Sequence, residues 1–221
     1  MKHASTLDRG LLGLIIATLV ATVAIYLVDP VYFHEVYAAE DKLVEYGTAV
    51  FLLMASLVLL RNAGALRGRR APTLAVGLTL VYALMFFAAA GEEISWGQRI
   101  IGWESGEFFE ENNKQNETNF HNLVVGDLHL AKTLFGSVLT TVLLLYLVAL
   151  PLAYPRLAPI RRLADRLAVP VPGTRHAIFA VAASIVIAAI DVHRKWEVYE
   201  LVFSLLACSI FLRPQNRERT T

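Results

Sequence analysis

Residues 91–123 read GEEISWGQRIIGWESGEFFEENNKQNETNFHNL, directly after an apolar run over 74–90. The stretch opens on Glu92 and Glu93 and adds five further acids, five Asn, Arg99 and His121. The rest of the chain offers no such density of polar groups, since 56% of it is hydrophobic and only 18% is charged. What the stretch does depends on what surrounds it, so the reading works outward from here.

A mean hydropathy of +0.53 is far above that of a soluble domain. Apolar runs of about 17–25 residues are long enough to cross a bilayer as helices. Six such segments are expected, at 11–28, 43–60, 74–90, 131–150, 176–192 and 196–212. The fold class is therefore all-α, a polytopic transmembrane bundle forming one domain over 1–221. Residues 91–130 form a helical polar segment between the third and fourth spans. Lys2 and Arg9 ahead of the first span resemble a signal peptide. The apolar stretch is too long for a signal core and no small-residue cleavage site follows, so a retained helix is expected. The single Cys208 lies inside the last run and reads as a small core hydrophobe.

Six spans put both termini on one side. That side collects 14 basic residues against 3 acids (Asp8, Asp165, Glu218), leaving 6 basic and 16 acidic for the remainder. Lys and Arg excess marks the cytoplasmic face. The expected location is the bacterial cytoplasmic (inner) membrane, with the 91–130 face periplasmic. Topology and contact with membrane lipid account for the basic residues, so no nucleic acid partner is implied. Residues 160–169 read as a short amphipathic helix on the cytoplasmic surface. Trp96, Trp103, Trp196, Tyr32, Tyr37 and Tyr46 all fall on the outer side, as an interfacial aromatic belt does.

Topology does not explain the outer-side acids at helix ends: Glu45 at the second span, Glu93 at the third, Glu197 and Glu200 at the sixth. A carboxylate in hydrocarbon costs ~2.5–3.5 kcal/mol, so such groups face a cavity and have a task. The run 107–123 lacks Pro and Gly and reads as a helix placing Asn113, Glu117 and His121 on one face. In the sixth helix His193 and Glu197 are likewise four apart and share one face. Carboxylates and His from several helices resemble the metal sites of helix bundles. The expected ligands are Glu45, Glu93, Glu117, His121, Glu197 and Glu200, for a divalent zinc, iron or manganese ion. Gln98, Arg99, Asn113, Asn119, Asn122 and Trp96 would orient ligands or hold substrate. The catalytic candidates are Glu93 and Glu117 as base and Ser95 as nucleophile. Glu104, Glu107, Glu110 and Glu111 read as solvated, and Asp41 as a helix cap.

Glu92–Arg99 (EEISWGQR), Asn113–Asn122 (NKQNETNFHN) and the acidic helix entry EDKLVE from Glu40 resemble an uncharacterised family of bacterial polytopic membrane proteins. Its members share E-E-x-S-W-G-Q and N-x-Q-x-E-x-N-x-H-N segments. The resemblance implies a multi-pass membrane bundle and supplies no activity. The favoured function is a metal-dependent membrane hydrolase acting on a lipid or lipid-linked substrate. The alternatives are an ion-coupled transporter and an envelope binding or scaffold protein without catalysis.

Overall fold

The computed structural model describes residues 2–113, 115–120, 122–125, 128–129 and 138–221. These are helical apart from loops and one antiparallel pair of two-residue strands, β1 (Val124–Val125) and β2 (Leu128–His129). Helix α1 (Lys2–Val28) stops where the chain dictates: Asp29 precedes Pro30, which disfavours helical backbone there, and Asp29 sits at φ −151°. Its carboxylate then caps α2 (Pro30–Tyr32) by accepting from the Tyr32 amide at 2.8 Å. A π turn, Phe33–Tyr37, follows and wedges Phe33 into a fully buried position between the rings of Tyr26 and Tyr37.

Helices α3 (Leu43–Gly68) and α4 (Thr73–Glu93) form an antiparallel hairpin, turned by Arg70 at φ 58° and by Pro72 ahead of α4. The Ser56 hydroxyl donates to the Ala83 carbonyl at 2.8 Å, and the small residues Ala55 and Ala83 let the backbones approach. Short helices α5 (Gln98–Ile101) and α6 (Glu107–Asn112) follow. Next among the described residues are α7 (Leu139–Leu144), a π turn (Leu145–Ala149) and α8 (Leu150–Ala153). Then come α9 (Ala158–Arg166), α10 (Thr174–Ala189), α11 (Lys195–Leu212) and α12 (Arg217–Thr220).

The sequence of α11 sets the architecture. Residues 204–212 are buried without a break, so this helix has no lipid-facing side over its second half. A helix apolar all round belongs at the centre of a bundle. Helices α1, α3 and α10 pack around it. Asn62 of α3 donates to the Phe211 carbonyl at 2.9 Å, and Cys208 of α11 to the Phe51 carbonyl at 2.9 Å. The outer faces of α1, α3, α4 and α10 expose Val20, Leu57, Leu84, Met85, Ile178 and Ile185. Three helices, Thr6–Val28, Leu43–Gly68 and Thr73–Glu93, are long and apolar enough to cross a membrane.

Three expectations are corrected. Residues 107–123 are not one helix: α6 ends at Asn112, and the chain beyond it is an irregular loop closed by an Asn113–Leu123 bridge. The shared helical face of Asn113 and Glu117 therefore does not exist, and His121 lies outside the described residues. His193 precedes α11 rather than belonging to it, so it shares no helix face with Glu197. Asp41 does not cap α3, whose entry has no side-chain cap. The expected fourth span begins within 131–137, outside the described residues.

Candidate functional site

At Glu93 helix α4 ends and the chain turns sharply through Ser95–Gly97, a single turn of tight helix. Ser95, Trp96 and Gly97 all adopt positive φ, at 46°, 57° and 78°. Only glycine does this without cost, so the turn holds Ser95 and Trp96 in a conformation sustained by their contacts. The Trp96 indole folds back over Gly91, where a Cβ would lie 2.7 Å from the ring. Its Nε1 donates to Glu92 at 2.8 Å, and the other Glu92 oxygen accepts from the Phe120 amide at 2.6 Å. Glu92 thus ties the loop down, which frees the adjacent Glu93 to face the bundle.

The loop 113–120 is laced to this turn by alternate residues. Asn113 accepts from the Gln115 and Glu117 amides at 2.9 and 3.3 Å, and donates to the Asn119 side-chain oxygen at 2.9 Å. The Asn119 amide donates in turn to Ser95 Oγ at 2.9 Å and to Glu117 Oε2 at 2.8 Å. Ser95 Oγ donates to the same Glu117 oxygen at 2.5 Å, with Ser95 and Asn119 fully buried. Gln98 accepts from the Thr118 amide at 2.8 Å and donates to Ser105 at 2.9 Å. Asn122 reaches Gln115 at 2.8 Å, and Gln115 reaches Glu40 at 2.9 Å.

Arg99 joins these layers. Its Nη1 lies 3.0 Å from Asp41 and 3.1 Å from Glu117, and its Nη2 lies 3.1 Å from Glu45. Glu40 stands 3.9 Å away and also meets Arg194 at 3.3 Å. The Glu45 and Glu117 side chains are only 9% and 7% exposed, so their pairing with Arg99 is largely desolvated. Glu45 also accepts from the Asp41 amide. Behind this layer, burial pushes the Tyr37 phenol above its usual range, and its hydrogen bond with Thr22 at 2.9 Å works the other way.

A second group sits beside the first. Oxygens of Glu93, Glu197 and Glu200 all lie within 4.8 Å of one another. Glu45 adds a fourth like charge close by. Among the described residues, none of the three has a basic side chain at ion-pair distance or accepts a hydrogen bond from a side chain. α4 and α11 supply the three, each packed on α3, which brings Glu45.

Of the expected ligands, Glu93, Glu197 and Glu200 are brought together. Glu45 borders them but is engaged by Arg99. Glu117 belongs to the Ser95–Asn119–Arg99 group instead, and His121 lies outside the described residues. Sequence reading missed Glu40 and Asp41 as partners of Arg99, with Asp41 read only as a helix cap. Their signal was adjacency to the helix entry that carries Glu45. It also missed the loop. Asn113, Gln115, Glu117 and Asn119 carry its side-chain contacts, and Asn-rich chain favours turns over helix. No family model, no curated protein and no solved structure matches this chain.

Proposed function

We propose that the chain is a six-span protein of the bacterial cytoplasmic membrane, with residues 91–130 periplasmic, and that its carboxylate end is a metal-dependent hydrolytic centre for a lipid or lipid-linked substrate. The observation that carries this reading is the Glu93/Glu197/Glu200 triad, which Arg194 approaches but which no basic side chain meets at ion-pair distance among the described residues. Three carboxylates this close repel one another until a cation or protons lie between them. An all-oxygen donor set suits manganese better than zinc, which takes nitrogen and sulfur readily. Glu200 is exposed at the bundle surface, where the site can admit a substrate from the side.

A bound divalent ion would polarise the scissile carbonyl or phosphoryl oxygen and acidify a water. In hydrolysis the water oxygen adds to the acyl carbon or phosphorus, and its protons end on the leaving oxygen and the base. Glu93 is the candidate base at this centre, while Glu117 is held in the neighbouring group by Ser95, Asn119 and Arg99. Ser95 is fully buried, with no open side for a carbonyl, so in this reading it positions Glu117 rather than attacking.

The test is metal content. Protein purified in mild detergent and incubated with manganese, zinc or iron is expected to retain about one ion per chain by elemental analysis. Glu93→Gln and Glu200→Gln are expected to weaken manganese binding at least ~10-fold with a metal-free melting temperature at or above the parent's, since each removes one charged ligand and one like charge. Parent protein that stays metal-free with all three ions overturns the reading.

A further inference from the structure

At the other end of α11 the charge reverses. Glu197 and Arg213 stand 16 residues apart along the sequence, or roughly 24 Å at a helical rise of 1.5 Å per residue. There a cavity of about 400 Å³ opens between the start of α10 and the chain following α11, lined by Arg175, Arg213 and Arg217. Arg175 and Arg213 share one carboxylate, Asp8, at 3.0 and 3.5 Å. Arg217 pairs with no carboxylate among the described residues. Three guanidinium groups thus face the cavity against one acid.

The walls are fixed before any ligand arrives. Asp8 accepts from Ser209 at 2.7 Å, and Ser209 in turn bonds His176 at 3.0 Å, whose Nδ1 accepts from the Gly173 amide at 2.8 Å. The Gln215 amide donates to the Val171 carbonyl at 2.7 Å, and the Val171 amide donates to Asn216 at 3.0 Å. A rigid basic recess is what a phosphate group needs, because little side-chain entropy is lost on binding.

A soluble anion and a lipid head group would satisfy the arginines equally. The surface beside them decides. Arg175, Ile178, Ala182 and Ile185 follow one another at three- and four-residue steps, so they share one side of α10. Ile178 and Ile185 are each 64% exposed. An apolar track thus leads from the basic recess along the helix toward the hydrocarbon. We propose that this cavity binds the phosphate of an anionic phospholipid, with an acyl chain laid along the Ile178–Ala182–Ile185 track. The site stands apart from the carboxylate end and does not depend on its chemistry.

Native mass spectrometry of the full chain in detergent, titrated with phosphatidylglycerol, phosphatidylcholine or inorganic phosphate, tests this. Phosphatidylglycerol is expected to bind at least ~10-fold tighter than phosphatidylcholine, as anionic lipid does at several basic residues. Arg217→Gln is expected to weaken it about fivefold, the worth of one basic residue near an anionic head group. Arg217 is exposed and outside the Asp8 network, so the fold should be untouched. Ile178→Asn should weaken phosphatidylglycerol binding by about threefold through lost acyl contact. Phosphatidylglycerol binding equal in the parent, Arg217→Gln and Arg217→Glu overturns the site. Full displacement by inorganic phosphate, with Ile178→Asn silent, makes it a soluble-anion pocket and overturns the lipid assignment.

Discussion

Replacing Arg99 by Met is expected to cost about 3–5 kcal/mol, because two of the three carboxylates it meets, Glu45 and Glu117, are more than nine-tenths buried and would be left unpaired. The penalty arises from what remains rather than from what is lost. Glu45 would keep only the Asp41 amide, and Glu117 only Ser95 and Asn119. Adding Glu117→Gln to Arg99→Met should therefore recover stability, since a neutral amide in that position carries no uncompensated charge. Arg99→Lys should recover little: a single ammonium cannot reach Asp41, Glu45 and Glu117 with separate donors. Thermal melts in one detergent, run on the three variants and the parent, check the ordering. An Arg99→Met protein that melts with the parent would mean the cluster is solvated in the membrane-bound protein.

Gly91→Ala is expected to destabilise by about 1–3 kcal/mol, the ordinary cost of forcing volume into a filled space. The added methyl would stand 2.7 to 2.9 Å from three atoms of the Trp96 ring. The ring cannot step aside freely, because its backbone sits at φ 57° and its Nε1 is held by Glu92. Moving it shifts Ser95, and with it the contact to Glu117. Gly77→Ala supplies the control. It lies in the same helix with nothing near its would-be Cβ, so gained helix propensity should leave it neutral or up to ~1 kcal/mol more stable. Melting temperature and tryptophan emission, compared for the pair, distinguish a local steric effect from a general dislike of alanine in α4. Equal behaviour of the two variants would remove the stacking argument.

Three of the six expected spans were legible as long apolar helices, because apolar side chains over a helix length are revealed by residue type alone. The meeting of Glu93, Glu197 and Glu200 was legible for a related reason: acids at the ends of neighbouring helices have little other place to go. The loop was not. Freedom from Pro and Gly over 107–123 looks helical, yet five Asn compete for backbone amides, as Asn113 does with Gln115 and Glu117. Three successive positive φ values at Ser95, Trp96 and Gly97 have no signal in residue type, apart from Gly97. Nor did spacing reveal that Arg99 would gather acids from Asp41 to Glu117, a contact that exists only after α3 and α4 have paired.

The central place of α11 also governs how the protein is made. Synthesis delivers the inner helix after the helices α1, α3 and α10 that pack around it, so those three are made before the partner they are shaped to hold. Until then the Asn62 amide and the Phe51 carbonyl on α3 have no acceptor and donor from α11. Assembly is thus a late closure in place of stepwise growth, and a chain cut short before residue 195 would leave α1, α3 and α10 around an empty seat.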